Sequence, residues 1–142
     1  MPMMSCGAPA QETSPPASHP TFPGTSRAAA HARTYARQIV ERSVPGIAEG
    51  PVRDVELVVS ELVTNAIRYG TEPGDRITVA VIASLSGVRI EVHDPVRRRP
   101  RHKPHKPARQ RGRGLLVVGA LANSWGVADR PLGKIVWAEL AW

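Results

Sequence analysis

One stretch, from Val55 to Gly70, limits what this chain can fold into more than any other, because it has the period of a single long helix. Its apolar residues recur at steps of three and four positions and so form one wide stripe. The stripe consists of Val55, Val58, Val59, Leu62, Val63, Ala66 and Ile67. Pro51 is tolerated in a first helical turn, and Gly70 is predicted to cap the C-terminal end. The sequence therefore predicts an amphipathic helix over residues 51–70.

Two polar residues of this helix, Glu61 and Asn65, are four positions apart and therefore lie one turn apart on one face. A carboxamide oxygen is a ligand that Mg²⁺ accepts alongside phosphates and water, and a carboxylate such as Glu61 can orient or deprotonate a nucleophile. The pair therefore suits a magnesium–nucleotide site. The alternative is an exposed Glu and an exposed Asn on an amphipathic helix, and this window taken alone favours that alternative.

The length of 142 residues is enough for one domain with a real core. The sequence has no apolar run near the roughly 18 residues of a membrane-spanning helix, and its start lacks the basic and apolar regions of a secretory signal. Cys6 is the only cysteine, which excludes a disulfide framework within the chain. We therefore expect a cytoplasmic protein without a membrane anchor.

The net charge of +7 is concentrated between Arg97 and Arg113, where nine of the 19 basic residues and no acidic residue occur. The other ten basic residues stand against 12 acidic ones, so the rest of the chain is nearly neutral. Such a basic segment indicates a polyanion, either phosphate or nucleic acid. Nucleic acid is disfavoured, because the segment contains no aromatic residue to stack on bases.

The remaining patterns predict the order helix, helix, strand, strand, loop, helix, strand, strand. Residues 1–26 are rich in Pro and Ser and predict a disordered tail, and the folded domain is expected to span residues 27–142. Four prolines predict an irregular loop from Pro95 to Arg111. This order predicts an α+β fold, a two-layer α/β sandwich with helices on one face of a mixed, mainly antiparallel sheet.

Three motifs follow one another in the chain: E-L-V-T-N-A at 61–66, H-D-P at 93–95 and G-R-G-L at 112–115. Together with G-K-I-V-W-A-E-L at 133–140, they resemble in order and spacing the GHKL ATPase/kinase superfamily, whose nucleotide-binding unit is called the Bergerat fold. Within it, the chain resembles the small anti-sigma-factor serine kinases and their single-domain relatives in actinobacteria. The resemblance covers residues 27–140 and implies that the chain binds ATP and Mg²⁺.

The resemblance also implies a role for three residues. Asn65 would bind Mg²⁺, and Glu61 would act as the catalytic base. Asp94 would accept a hydrogen bond from the adenine amino group, which a carboxylate can do for adenine but not for the carbonyl oxygen of guanine. The alternative for Asp94, of equal weight when the residue is taken alone, is a turn-forming Asp before proline.

The third motif matches the far end of the nucleotide lid in that superfamily. The matching residues are Gly112, Arg113, Gly114 and Leu115. Glycines there let backbone amides approach phosphate at the start of the following helix, and the basic segment matches the lid itself. A simple glycine hinge before a helix is the alternative.

Two positions depart from the family pattern. Pro95-Val96-Arg97 follows Asp94, where the family usually has small or glycine-containing sequence, so the first hinge of the lid is altered. Ile135 stands near the place where the last strand often carries Thr beside the adenine-binding Asp.

The leading hypothesis is an ATP-binding serine/threonine kinase of the anti-sigma-factor type. It would phosphorylate a small antagonist protein and bind a sigma factor or similar regulator. A second hypothesis is a catalytically weak or inactive module of the same fold that binds ATP or only a partner. A third, a nucleic-acid-binding domain, is disfavoured by the missing aromatic residues, and the sequence leaves open whether the chain forms a homodimer.

Overall fold

The computed structural model describes residues 19–95, 108–130 and 133–142, with the side chains of residues 108–113 and 130 left out of the description. The helices of the described part are α1 (Ala28–Ser43), α2 (Glu49–Gly70) and α3 (Ala108–Leu121). Its strands are β1 (Thr21–Pro23), β2 (Arg76–Ser84), β3 (Gly87–Asp94), β4 (Ser124–Arg130) and β5 (Gly133–Ala141). In this part of the chain, none of the helices is both long and apolar enough to cross a membrane.

The described strands form one sheet in the order β1-β2-β3-β5-β4, and each neighbouring pair is antiparallel. One face of the sheet shares a single apolar core with the three helices, including Val79, Ile90, Val92 and Val136. The predicted α+β two-layer fold is therefore confirmed. The prediction allowed for some parallel pairing, and none occurs among the described strands.

Helix α2 lies at the centre of the helix layer and packs against α1, α3, β3 and β5. Its buried residues are those of the predicted stripe together with Val52 and Gly70, while Ile67 is only partly buried. Pro51 is the third residue of the helix, where its missing N–H is not needed within the helix. Burial of the apolar stripe between the sheet and two helices is what stabilises this long element.

Two predictions about element boundaries are wrong. Residues 19–26 were expected to belong to a disordered tail, but Thr21–Pro23 forms the edge strand β1, where Phe22 packs against the core. Residues 108–111 were expected to belong to the irregular loop, but α3 begins at Ala108, directly after the last proline of the basic segment. Ala, Arg and Gln are good helix formers once no proline follows. The predictions for residues 1–18 and 96–107 lie outside the described residues.

The face of the sheet opposite the three described helices holds a cluster of charged side chains. Arg89 donates to Glu91 and to Glu139 at 2.8 Å each, and its guanidinium carbon lies 4.5 Å from the centre of the Trp137 ring. His93 Nε2 is 2.9 Å from Glu91 Oε1. The hydrogen bond with His93 and, to a smaller extent, that from Arg89 lower the pKa of Glu91 to about 2, against the effect of its burial.

We expect Glu91→Gln to make the stability of the protein less sensitive to acid. The folded-state pKa of Glu91 lies below its ordinary value of 4.5, so its interactions stabilise the fold above about pH 4.5 and are lost as the pH falls towards 2. Their contribution at neutral pH is on the order of 2 to 3 kcal/mol. Urea unfolding at pH 7 and at pH 3 measures the loss.

The native protein should lose more unfolding free energy between these two pH values than Glu91→Gln does. Glu41→Gln serves as the control, because Glu41 pairs with Arg37 on the surface of α1 with 49% of its side chain exposed. That variant should respond to acid as the native protein does. Equal losses in the native protein and Glu91→Gln would contradict the role given to Glu91.

Candidate functional site

One face of α2 carries three polar side chains, those of Glu61, Asn65 and Arg68. Because an α-helix turns by about 100° per residue, the three fall within a sector of about 60°. Glu61 and Asn65 are partly buried and Arg68 is exposed. No hydrogen bond or ion pair joins any of these side chains to another residue in the described ranges. Their polar atoms are therefore available to a ligand.

The carboxylate of Glu61 lies at the junction between α2 and α3. A Cβ atom placed on Gly114 of α3 would stand 2.8 Å from Glu61 Oε1, the end of the side chain, so a larger residue at position 114 would turn the carboxylate aside. Leu115, next in α3, packs partly buried against the core. Gly114, which was predicted to belong to the nucleotide site, thus lies beside Glu61, the candidate base. Its role towards a nucleotide stays a prediction.

The structure changes the setting of the third motif. Gly112, Arg113, Gly114 and Leu115 were predicted to precede a helix, but all four lie inside α3. The N-terminus of α3 is at Ala108, so the expected approach of backbone amides to phosphate at Gly112 and Gly114 cannot come from a helix start at these residues. The side-chain surroundings of Gly112 and Arg113 lie outside the described residues.

Asp94 is the last residue of β3 and points to the helix side of the sheet, like Val92 and Ile90 two and four positions earlier. It is only 3% exposed. Its carboxylate lies against Gly70, the last residue of α2. The strand-end position therefore holds a buried carboxylate at the C-terminal end of the helix that carries Glu61 and Asn65.

Helix α2 thus connects the two predicted carboxylates. Glu61 and Gly70 are nine residues apart, which corresponds to about 13 Å along the helix axis. Asn65 lies between them, about 6 Å from Glu61 along the axis. A ligand that extends along α2 from Asp94 to Glu61 would pass Asn65 and Arg68, so the arrangement suits an elongated molecule with different chemistry at its two ends.

Sequence reasoning missed two cationic residues of this region. Arg68 follows from the helical period and could have been found, since it lies seven residues after Glu61. Lys134 pairs with Asp94 across β3 and β5, so both side chains leave the same face of the sheet. The paired residues are 40 positions apart in the sequence, and no local signal in the sequence reveals the pairing.

The position expected for Ile135 is corrected by the register. Ile135 pairs with His93 rather than with Asp94. Since neighbouring residues of a strand point to opposite faces, the Ile135 side chain lies on the face opposite the described helices, away from the Asp94 carboxylate. It therefore cannot replace a threonine beside that carboxylate.

A cavity of about 570 Å³ lies at the other flank of the C-terminal end of α2, lined by residues that include Pro23, Ile67, Thr71 and Arg76. It includes none of Glu61, Asn65 and Asp94, so it is separate from the polar face of the helix. No cluster of three His, Cys, Asp or Glu side chains suitable for a metal occurs in the described part of the chain. Binding of Mg²⁺ through Asn65 stays a prediction.

Comparison with protein-family models matches residues 22–140 to a family described as the histidine kinase-like ATPase domain. The match begins within β1 and includes α2, Asp94 and α3. It therefore supports the inclusion of β1 in the folded domain. A comparison with curated proteins found no match.

We expect Arg68→Ala to weaken the binding of Mg-ATP by roughly ten-fold, the scale of one hydrogen bond to a charged group. Adenosine should bind equally well to both proteins, because it has no phosphate for Arg68 to contact. Isothermal titration with both ligands measures the difference. Arg53→Ala removes the same charge from α2 two turns before Glu61 and should leave both affinities unchanged; an equal effect of the two variants would assign the loss to net charge alone.

Proposed function

The chain belongs to the histidine kinase-like ATPase family, and on this basis we propose that it is a regulatory serine/threonine protein kinase of the anti-sigma-factor type. The membership makes it an ATP-binding module. The proposed reaction transfers the γ-phosphoryl group of ATP to a serine of a small antagonist protein. The proposed second partner is a sigma factor or a similar regulator.

The observation that carries this proposal is the polar face of α2. A partly buried carboxylate and a carboxamide stand one turn apart, and neither has a polar partner among the described residues. Retaining two partly buried polar groups without partners has no evident benefit for stability. Both groups are the types that phosphoryl transfer from a magnesium-bound nucleotide requires.

The residues divide the work according to their chemistry. The carboxamide oxygen of Asn65 would hold Mg²⁺, which when bound neutralises phosphate charge and orients the phosphoryl group. Glu61 would accept the proton of the attacking serine hydroxyl. Asp94 would accept a hydrogen bond from the adenine amino group at the other end of α2, and Arg68 would contact a phosphate oxygen.

One observation favours the second candidate, a module that binds ATP without turnover. Pro95 directly follows Asp94, and its Cα lies 3.3 Å from the position that a Cβ of Gly133 would take. Proline fixes φ and has no N–H, so the chain leaves β3 stiffly at the predicted first hinge of the lid. A stiff hinge would restrict closure over the phosphates, and closure is often what completes a catalytic site.

We expect Asn65→Ala to remove most of the gain in ATP affinity that Mg²⁺ provides. Nucleotide titration of both proteins with Mg²⁺ and with a chelator measures this gain. In the chelator, the two affinities should be equal, because Asn65 acts through the metal. Thr64→Ala, the neighbouring partly buried position of α2, is the control and should behave as the native chain. Equal affinities of native protein and Asn65→Ala in Mg²⁺ would remove Asn65 from the site.

We expect Glu61→Gln to keep ATP affinity within about three-fold while losing phosphoryl transfer, because the base acts on the transfer step rather than on ground-state binding. The assays are slow ATP hydrolysis and phosphorylation of small antagonist-type proteins. Glu41→Gln removes the same charge from the surface of α1 and should retain activity.

Two results would change the proposal in different ways. A native chain that binds ATP tightly but shows neither activity would replace the kinase with the binding module. Loss of ATP binding in Glu61→Gln would instead give Glu61 a role in holding the nucleotide or the metal, and the division of work between Glu61 and Asn65 would be wrong.

A further inference from the structure

The glycine at the C-terminal end of α2 is not explained by helix termination. A glycine that caps a helix usually has a left-handed backbone conformation, but Gly70 lies outside the positive-φ region that Gly46, Gly74, Gly87 and Gly133 occupy. The residue after the helix, Thr71, is extended, and its hydroxyl donates to the carbonyl of Ile67 at 2.9 Å. The helix therefore ends without any backbone requirement for glycine at position 70.

What requires glycine is the space beside Asp94. A Cβ atom on Gly70 would lie 2.5 Å from Asp94 Oδ2, 2.7 Å from its Cγ and 3.0 Å from its Cβ. Three atoms of one short side chain are involved, and the innermost is fixed to the β3 backbone. Asp94 is also 3% exposed, so it has little free space to turn into. Any side chain at position 70 must therefore displace the carboxylate, the end of α2, or both.

We propose that Gly70 is a positioning residue that determines base specificity by leaving the space in which the Asp94 carboxylate is held. The inference rests on the proposed nucleotide site, in which Asp94 accepts the hydrogen bond from the adenine amino group. A hydrogen bond depends steeply on distance and angle. A displacement of the carboxylate by even part of an ångström would therefore reduce discrimination between adenine and guanine.

The chain offers a matched control in the same helix. Gly50 also lies in α2, its backbone is not in the positive-φ region, and nothing stands within 4 Å of a Cβ built there. Gly50→Ala and Gly70→Ala thus make the same chemical change in the same helix. They differ in whether the added methyl group meets another residue.

The first experiment measures the dissociation constants of Mg-ATP and Mg-GTP for the native chain, Gly70→Ala and Gly50→Ala. Gly70→Ala should weaken ATP by roughly ten-fold, the scale of one hydrogen bond to a charged group, and leave GTP nearly unchanged, so that the preference for ATP narrows. Gly50→Ala should keep both constants. Unchanged ATP preference in Gly70→Ala would overturn the proposal, and so would an equal weakening of both nucleotides.

The second experiment tests whether Gly70 acts through Asp94. Asp94→Gly removes all three atoms that the added methyl group would meet. In that background, Gly70→Ala should cause no further loss of ATP affinity and should no longer lower the urea midpoint of unfolding. Additive effects of the two substitutions would show that they act independently, and would overturn the proposal. The unfolding measurement needs no nucleotide, so it still tests the contact with Asp94, the premise of the proposal, if Gly70→Ala is too unstable for titration.

Failure of this inference is distinguishable from failure of the proposed kinase activity. A native chain that binds ATP selectively but transfers no phosphoryl group would contradict the kinase and leave the role of Gly70 standing. A chain that phosphorylates its substrate, yet whose Gly70→Ala variant keeps full ATP preference, would contradict only the role of Gly70.

Discussion

The burial of one side of α2 is the constraint on which the rest of this structure depends. Val52, Val55, Val59, Leu62 and Val63 are all fully buried, and burial of each such side chain contributes about 1.5 to 3 kcal/mol. A rotation of the helix by one residue would expose part of this surface, so the rotation is fixed by the core. Glu61 then lies at the junction with α3, and Asn65 lies one turn further along the same face of the helix. Hydrophobic burial therefore determines which side of α2 carries the candidate site.

The spacing of apolar and polar residues along α2 is visible in the sequence, which is why the placement of Glu61 and Asn65 on one face could be predicted. A period of 3.6 residues places Glu61 and Asn65 on one face without any knowledge of tertiary structure. The same reasoning extends to Arg68, which the period also places there. The hairpin β2–β3 and the position of Asp94 at its end follow from local alternation and a short turn. These features are local, and local patterns are what a single sequence displays.

The features that escaped prediction all depend on contacts between distant parts of the chain. Strand β1 is three residues long and exists because it pairs with β2. Lys134 stands opposite Asp94 only because of the β3–β5 register, and the same register places Ile135 on the other face. The contacts of Gly70 with Asp94 and of Gly114 with Glu61 are further examples. In each case the structural role of the residue depends on a distant partner that the sequence does not identify.

The two carboxylates differ in how firmly the fold holds them, and this difference matches their proposed roles. Asp94 is buried, and three of its atoms would overlap with a side chain at position 70. Its position is therefore set by the backbones of β3 and α2. Glu61 meets the corresponding position at Gly114 only with the tip of its carboxylate, since its Cβ and Cδ stay at 3.8 and 3.9 Å. A group that selects a base gains from being held in one place, because any freedom weakens discrimination. A group that receives a proton during transfer must follow the reacting oxygen, and a longer side chain with a free end permits that movement.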